Sequence, residues 1–574
     1  MRKKSWFVVM VLFLAALVLS GGCGSSDDTA DNVSDDADIV DIYVNGNIYT
    51  VDDGFSKASS IVVSGDRILY VGSDDTALND YENLAARVVD LGGKTVLPGL
   101  IENHMHYQSL GQQLGIIDIT NKQKDEILEA VRAEAERLGS GKWIYSFGWN
   151  QDLWLDLDKQ WPTKEDLDAV APDNPVFLYR VDGHSAWLNS LALDSCEITK
   201  DTPEPEGGEI EKIEGELTGI LYEIAASEAY AKMPPATDEE KLTSYTNADA
   251  AVISYGLTTI VDAGASNADI RVLKNAYRDG KLKVRAYEML SAGGEAEFIG
   301  ENGAPVRDLY NAKLSVNAVK VYADGSLGSR TAWLKEPYSD DLKNPDNRGT
   351  LVYPSVDDFK AVIKTASDYG FQVGTHAIGD AAVSAALDAY EAAAGADLPS
   401  RRFRIEHYSV VQPEDVTRTV ELGVIPSIQG YFAPSDMVMA PDRLGPDRIN
   451  MAYSWRDIID AGAKIVNGSD APVEFVNPYN GLFAAVARQN LAGEPEGGWR
   501  PGQKITREEA LRSFTIWGAY GIFSEDSKGS LEAGKYADFV VIDRDYMTCP
   551  ESDIKEITAI ATVIGGELVY GSLE

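Results

Sequence analysis

The stretch Phe371-Gln-Val-Gly-Thr-His376 is a short apolar run of strand type that ends in a histidine, and an Ala-rich helical stretch, 381–394, follows it. The next run of strand type, Arg404-Ile-Glu-His407, also ends in a histidine, 31 residues after the first. That spacing is close to one strand–helix unit, and strands that alternate with helices form parallel sheets. Similar runs stand at 257–262, 318–322, 424–427 and 464–467. The repetition predicts an α/β protein built on a parallel barrel.

Both ends of the chain instead show short strands with tight turns. Asn45-Gly46 and Gly65-Asp66 are hairpin signals near the start. The strand-like runs 538–543, 560–564 and 567–570 lie near the end, the last two separated by the turn Gly565-Gly566. We therefore expect residues 39–97 and 531–574 to form one small β domain around a barrel over 98–530. Residues from about 120 to 220 are rich in Trp, Pro and Gly and do not follow the barrel rhythm, which indicates an insertion at an early barrel loop.

The first residues have the pattern of an export signal. Three basic residues at 2–4 precede an apolar run, Trp6–Leu19, and small residues then lead to Cys23. This pattern predicts a signal peptide over 1–22 and resembles a bacterial lipoprotein signal, although Ser20 stands where a leucine is expected. Residues 23–38 are small and acidic, which is typical of a disordered tether. We expect an exported chain, periplasmic or at the cell surface, with a lipid anchor on Cys23.

Composition narrows the classes of partner. The 574 residues are 44% hydrophobic and 25% charged, as in globular proteins, and the net charge is −40. Such acidity argues against binding to nucleic acid. It also argues against contact with a membrane, except through the lipid anchor. The sequence has no dinucleotide-binding glycine motif after a strand, no phosphate loop and no Gly-x-Ser-x-Gly. Cys196 and Cys549 are either a disulfide or two free thiols.

Most of the five histidines stand where parallel strands would end. His104 and His106 are two apart on a strand, so both imidazoles share one face, and imidazole suits zinc and similar metals. Lys320 interrupts a β-branched run, where a buried ammonium is costly. Each residue alone has a structural explanation as a core, turn or surface group. Together they place His104 and His106 at the first strand, and then Lys320, His376, His407 and Asp470 at the ends of later strands.

Seven motifs together resemble those of the amidohydrolase superfamily, in the branch called amidohydrolase family 3, which includes N-substituted formamide deformylases. The resemblance covers about residues 40–574. The motifs are Pro98-Gly-Leu-Ile-Glu-Asn-His-Met-His106, Asp182-Gly-His-Ser-Ala-Trp-Leu-Asn-Ser190, Val319-Lys-Val-Tyr-Ala-Asp-Gly-Ser-Leu-Gly-Ser-Arg330, Thr375-His-Ala-Ile-Gly-Asp380, Arg404-Ile-Glu-His407, Asn467-Gly-Ser-Asp-Ala-Pro-Val473 and Lys528-Gly-Ser-Leu-Glu-Ala-Gly-Lys-Tyr-Ala-Asp538.

The resemblance implies a (β/α)8 barrel of TIM type with a β-sandwich formed from both termini. It implies one or two divalent metal ions, with zinc expected. His104, His106 and Asp470 would hold one ion and His376 and His407 the other, and Lys320, carboxylated by CO2, would bridge them. Asp470 would also take a proton from the attacking water and pass it to the leaving nitrogen.

The expected activity is hydrolysis of a non-peptide C–N bond, in an amide or formamide of a small-molecule substrate. His184, Asp324 and Arg330 are candidate substrate-binding residues, with a structural role for each left open. Two alternatives to this activity remain. In the first, the same metal site hydrolyses a lactone or ester, or acts as a deaminase or isomerase. In the second, the protein is a lipoprotein that binds a ligand without turnover. The sequence leaves the oligomeric state open, a homo-oligomer included.

Overall fold

A computed structural model of the chain describes residues 39–155, 160–205 and 207–573. The predicted signal peptide, the acidic tether and the predicted lipidation site at Cys23 lie outside these ranges. Within them, no helix combines the length and the apolar character needed to cross a membrane.

Eight parallel strands form the central sheet, and their spatial order follows the chain from β1 to β8. Each strand is almost completely buried, as expected where helices cover a parallel sheet. The strands are β1 (Leu100–Met105), β2 (Leu257–Ala265), β3 (Arg285–Ser291), β4 (Leu314–Tyr322), β5 (Gln372–Ala377), β6 (Arg404–His407), β7 (Ile425–Gln429) and β8 (Val466–Gly468). A short strand, Val306–Asp308, pairs antiparallel with β4.

The sheet curves until its last strand meets its first. The Asp470 amide donates to the His104 carbonyl, and the His106 amide donates to the Ala471 carbonyl, each at 2.7 Å. Deeper in the barrel, Asn103 Nδ2 donates to the carbonyl of Asn467 at 3.0 Å. The molecule therefore has an α/β fold with a nearly closed eight-stranded parallel barrel, consistent with the predicted TIM type.

Helices surround the barrel and turn one apolar side toward it. In helix Asn267–Arg278, Ile270, Leu273 and Tyr277 are buried at helical spacing, and Ser266 caps the first turn in a reciprocal pair with Asp269. The remaining α-helices of the described chain are Asp74–Tyr81, Tyr107–Gly115, Lys124–Leu138, Lys164–Asp168, Ser190–Ser195, Ile224–Ala231, Asp238–Ser254, Glu295–Asn302, Leu309–Ala312, Val356–Asp368, Asp380–Ala394, Leu398–Arg401, Pro413–Glu421, Phe432–Asp436, Ala440–Arg448, Trp455–Asp460, Pro478–Ala487, Arg507–Ser513 and Ile516–Gly521.

Two further sheets contain strands from the beginning of the chain, and one of them also contains strands from its end. The four-stranded sheet has the order Arg67–Gly72, Ser60–Ser64, Val40–Val44, Ala85–Asp90. The six-stranded sheet has the order Glu567–Gly571, Ala559–Ile564, Phe539–Ile542, Thr95–Pro98, Asn47–Tyr49, Lys57–Ala58. The two sheets share one buried cluster, in which Tyr43 and Ile61 join Val96, Phe539 and Val563. The β-sandwich as such stays a prediction.

A third sheet lies in the region that the sequence marks as irregular. Its five strands are, in order, Gly208–Ile213, Glu216–Glu223, Ser185–Leu188, Val176–Arg180 and Ile144–Trp149. The tryptophans of this region pack together: the ring of Trp149 lies 6.1 Å from Trp154, 5.5 Å from Trp161 and 6.0 Å from Trp187. Cys196 is buried in this region, and both Cys196 and Cys549 are free thiols.

A buried ion pair joins the barrel to the sheet formed from both chain ends. Arg285 begins β3, and its Nε and Nη2 donate to the two carboxylate oxygens of Asp538 at 2.7 and 3.0 Å. Both side chains are almost fully buried, with 2% and 4% of their surface exposed. Asp538 also accepts the Gly565 amide at 2.7 Å. The pair therefore fixes the final strands against the base of the barrel.

We expect Asp538→Ala to lower the free energy of unfolding by about 3–5 kcal/mol, because it leaves the Arg285 guanidinium buried without its counterion. Urea unfolding of purified protein measures this. Glu567→Ala is the matched control, since it removes an exposed pair, Lys283 Nζ to Glu567 Oε1 at 2.8 Å, that also joins the barrel to the terminal sheet. The control should lose less than about 1 kcal/mol. Equal losses in the two variants would contradict the assignment.

Candidate metal centre

The six predicted ligands lie together at the carboxyl ends of the barrel strands. His104 is in β1, Lys320 in β4 and His376 in β5, and His407 is the last residue of β6. His106 directly follows β1, and Asp470 lies two residues beyond β8. Their roles as ligands stay predictions, but the fold brings all six side chains to one mouth of the barrel, where barrel enzymes bind substrates.

Short distances connect these side chains. The imidazole of His104 lies 4.9 Å from that of His407, centroid to centroid, and His407 lies 4.4 Å from His376. Lys320 Nζ is 3.1 Å from His104 Nε2. Asp470 Oδ1 is 3.4 Å from His104 Nε2 and 3.2 Å from His106 Nε2. The cluster is therefore continuous from the first barrel strand to the last.

Neighbouring groups engage one nitrogen of each buried imidazole. His104 Nδ1 lies 2.6 Å from Glu406 Oε2, and His407 Nδ1 lies 2.9 Å from Gln429 Oε1. His376 uses Nε2, which lies 3.3 Å from the carbonyl oxygen of Gly325. Since all three partners are acceptors, the engaged nitrogens carry the protons. Nε2 of His104 and His407 and Nδ1 of His376 are therefore the nitrogens whose lone pairs are available to a metal.

The site keeps the imidazoles of His376 and His407 neutral, the form that binds a metal. Burial, reinforced by the charge of Lys320, lowers the pKa of His376 to about 3. Burial and the neighbouring His376 hold the pKa of His407 well below its usual range. Burial also lowers the pKa of Lys320 to about 8. Burial alone would raise the pKa of Asp470, but the neighbouring imidazoles hold it well below its usual range, so this group is ionised.

The donor set fits a divalent transition metal. Within the described parts of the chain, ligand atoms of His104, His407 and Asp470 lie within 4.8 Å of one another. Asp470 Oδ1 is buried and has no hydrogen-bond partner among the described residues. A buried carboxylate oxygen without a donor is costly unless a cation compensates it. Imidazole nitrogens together with a carboxylate oxygen are the usual ligands of zinc and similar ions.

Two of the ligand-bearing residues have an unusual backbone. His407 and Asp470 have φ angles of 75° and 60°, in the left-handed region. Such a conformation costs about 1–2 kcal/mol for a residue with a β-carbon, so it persists only where surrounding contacts fix it. For Asp470 that contact is the barrel-closing hydrogen bond of its amide to the His104 carbonyl, at 2.7 Å.

Several functional neighbours were not identified from the sequence. Glu406 is fully buried beside His104 and accepts from Arg404 Nε at 2.8 Å. Glu102 is also fully buried, and one of its oxygens accepts the amides of His104 and Ser469 at 3.0 and 2.8 Å. Burial raises the pKa of Glu102 to about 8. For Glu406 the available signal was its position two residues from Arg404, which puts both charged side chains on one face of β6.

The predicted substrate-binding residues have structural partners. Asp324 is buried and accepts the backbone amides of Trp333, Ile378 and Gly379 at 2.8, 3.0 and 2.8 Å, which ties the loop after β4 to the end of β5. Arg330 Nε and Nη2 donate to Asp340 at 3.0 and 2.9 Å. The exposed His184 lies 2.9 Å from Glu223, Nδ1 to Oε2. Their binding of substrate stays a prediction.

We expect Glu406→Gln to weaken metal binding by about 10- to 100-fold, because the amide no longer fixes the tautomer and orientation of His104. Competition with a chromogenic chelator measures the metal dissociation constant. The exposed Glu391→Gln is the control, and circular dichroism shows whether each variant is folded. A folded Glu406→Gln variant with unchanged metal affinity would contradict this role.

Comparisons with known proteins support the same chemistry. The model of the Amidohydrolase family matches residues 87–570. Putative amidohydrolase YtcJ of Bacillus subtilis is 30% identical over 92% of this chain and 99% of its own. The N-substituted formamide deformylase of Arthrobacter pascens is 29% identical over 92% of this chain and 98% of its own.

A solved structure agrees with the barrel. An uncharacterized metal-dependent hydrolase from Pyrococcus furiosus superposes with a TM-score of 0.76 at 32% identity, over 89% of this chain and 100% of that one. The predicted resemblance is confirmed, because the family match extends over most of the sequence. The chain belongs to the amidohydrolase family.

Proposed function

We propose that this hydrolase cleaves a non-peptide C–N bond, in an amide or formamide of a small-molecule substrate. The observation that carries the proposal is the joint placement of four imidazoles, one buried lysine and one buried carboxylate at the barrel mouth. The similarity to a deformylase of N-substituted formamides supports the choice of a C–N bond.

One or two divalent ions would bind here, and zinc is the metal we expect. His104, His106 and Asp470 would hold one ion, and His376 and His407 would hold the other. When bound, such ions supply Lewis acidity toward a carbonyl oxygen and make water more acidic. Lys320 would become the bridging ligand as its carbamate. Its lowered pKa leaves a fraction of neutral amine near pH 7; the amine nitrogen attacks the carbon of CO2, an N–C bond forms, and the amine proton passes to water.

Asp470 is the residue proposed to move the proton. It is ionised, and its carboxylate has two oxygens, so that one would face a cation while the second accepts a proton from the attacking water. The same oxygen then delivers the proton to the nitrogen that leaves. Proton return is needed because an amine is a poor leaving group until it is protonated.

Other residues would set the substrate position. Asp324 lies 3.6 Å from His376, Oδ1 to Nε2, and so holds both that imidazole and the loop of Arg330. The ring of Tyr322, at the end of β4, lies 5.5 Å from the ring of His376 and is partly exposed at the mouth. His184 would approach the substrate from the third sheet.

We expect the purified, metal-loaded protein to release amine from amides or formamides, and Asp470→Asn to lower kcat by about 10²–10⁴-fold, the usual contribution of a positioned acid–base group. Amine release and elemental metal content are measured on the same samples. The variant should keep most of its metal, because His104, His106, His376 and His407 remain.

Paired substrates with the same acyl group test the bond specificity. Esters and lactones are assayed beside the amides at equal metal content, and the exposed Asp388→Asn serves as the matched control. Faster turnover of the esters would replace the amide proposal by ester hydrolysis. Tight ligand binding without any product would favour the non-catalytic lipoprotein, and full activity of Asp470→Asn would refute the role of that residue.

We also propose that the chain is exported and anchored by a lipid on Cys23, with the barrel outside the cytoplasm. In a bacterial host, the wild type should partition into the detergent phase of a Triton X-114 extract. Cys23→Ala should move it to the aqueous phase, because the acyl chains supply the membrane affinity. Cys196→Ala is the control. Aqueous partitioning of the wild type would contradict the anchor.

A further inference from the structure

Two buried carboxyl groups lie side by side on neighbouring barrel strands. Asp262 in β2 and Glu288 in β3 are directly paired in the parallel register, so their side chains leave the sheet on the same side. The two carboxyl groups are close enough to form a hydrogen bond with each other. Asp262 is 4% exposed and Glu288 is fully buried. Two ionised carboxylates at such a distance repel each other, so the pair requires a proton or a compensating cation.

Glu288 has no group that would stabilise its ionised form. Both of its carboxyl oxygens are buried without a hydrogen-bond partner among the described residues. The charged groups that act on it are Asp262 and Asp269, which are both acidic and are not candidate metal ligands. Burial, reinforced by Asp262, raises the pKa of Glu288 well above its usual range. A neutral carboxylic acid at this position needs only one acceptor for its O–H group.

Asp262 is suited to be that acceptor. Its Oδ1 already accepts the backbone amide of Tyr107 at 3.0 Å, and Tyr107 is the first residue of helix Tyr107–Gly115. The amino-terminal end of a helix favours a negative charge. Burial raises the pKa of Asp262, but the hydrogen bond from the Tyr107 amide opposes this effect. The proton of the pair is therefore more stable on Glu288 than on Asp262.

The helix that Asp262 contacts begins directly after His106, a candidate metal ligand. The side chain of His106 makes no capping hydrogen bond to this helix, and its Nε2 lies 3.2 Å from Asp470 Oδ1 instead. Asp262 thus supplies from β2 the cap that His106 does not supply. This contact fixes the backbone that follows His106.

The elements packed against the pair provide no charge that could replace the proton. The titratable groups of the surrounding helices are the phenols of Tyr107, Tyr245 and Tyr277, whose pKa values burial raises above the usual range, and the carboxyl groups of Asp249 and Asp269. Lys241 Nζ is engaged by Asp269 Oδ1 at 2.7 Å. Of the candidate metal ligands, His106 and Lys320 act on Asp262, but neither forms an ion pair with it within the described chain.

We propose that Glu288 is a neutral carboxylic acid at physiological pH, that it donates a hydrogen bond to Asp262, and that it is thereby a positioning residue for the segment that follows His106. A cavity of about 60 Å³, lined by Asp262 and Tyr245, has room for water beside the pair. The proton passes from this water to Glu288 as the pH falls and returns to it as the pH rises. The inference concerns a protonation state of the fold and does not rest on the proposed reaction.

Infrared difference spectra of the purified mature chain test the protonation state directly. In D2O near neutral pH, the spectrum of the wild type minus that of Glu288→Gln should contain the C=O band of a protonated carboxyl group, which an ionised carboxylate does not give. The exposed Glu391→Gln is the control, and its difference spectrum should contain carboxylate bands only. Absence of the carboxyl band from the Glu288→Gln difference would overturn the proposal.

Urea unfolding at several pH values gives a second readout. The folded wild type keeps a proton that the unfolded chain releases, so the stability due to this proton is present at low pH and is lost as the pH rises. The unfolding constant of the wild type divided by that of Glu288→Gln should rise about tenfold per pH unit between about pH 6 and about pH 8. The same ratio for Glu391→Gln should stay constant. A ratio for Glu288→Gln that does not change with pH would overturn the proposal.

Hydrogen exchange tests the positioning role. Glutamine keeps an N–H donor for Asp262, whereas alanine keeps none. The backbone amides of residues 106–110, followed by mass spectrometry, should exchange at the wild-type rate in Glu288→Gln and at least about tenfold faster in Glu288→Ala. Equal exchange rates in the two variants would overturn this role. A Glu288→Gln variant that does not fold would also overturn the proposal, because the amide has the shape and the donor of the neutral acid.

Discussion

The hydrogen bond between His104 and Glu406 is the contact on which the interior of the barrel depends. The two atoms, Nδ1 and Oε2, are 2.6 Å apart, and both side chains are completely buried. Arg404 holds the carboxylate from the other side and also donates to the Asn103 carbonyl and to Ser427 Oγ, at 2.6 and 3.0 Å. One charged group thus connects β1, β6 and β7. Burial of these charges is tolerable only because each has its partners.

The closure of the barrel and the candidate metal centre use the same residues. His104 provides a candidate ligand atom from its side chain, and its carbonyl accepts the Asp470 amide that closes the sheet. Glu102 supports the same junction, since it accepts the amides of His104 and Ser469. Misplacement of the last strand would therefore move the Asp470 carboxylate, a candidate ligand, out of the site. This coupling gives a physical reason for the left-handed backbone at Asp470, which shapes the turn after a strand of only three residues.

The sequence was sufficient for the parallel barrel and for the gathering of the six candidate ligands, because apolar runs that end in His or Asp locate strand ends. The seven motifs, taken together, predicted the family to which the chain belongs. The supporting residues were harder to foresee. Asp324 accepts amides from residues distant in the chain, and pairing of this kind leaves no local pattern. Glu406 stood in a motif already quoted, yet a charged residue in a strand points to solvent as often as to a partner. Only the folded structure shows which of these two orientations Glu406 has.

The sheet formed from both chain ends has a consequence for how the protein is made. Leu97, just before the first barrel strand, pairs with Val540, and the strands Ala559–Ile564 and Glu567–Gly571 complete the same sheet. Until residues 539–571 have been synthesised, the strand Thr95–Pro98 has an unpaired edge, and such edges promote aggregation. Folding is thereby coupled to the end of synthesis, and contacts this distant in sequence make it slow. A ribosome that stops early releases a chain with an open sheet rather than a shortened enzyme, a natural substrate for chaperones and proteases.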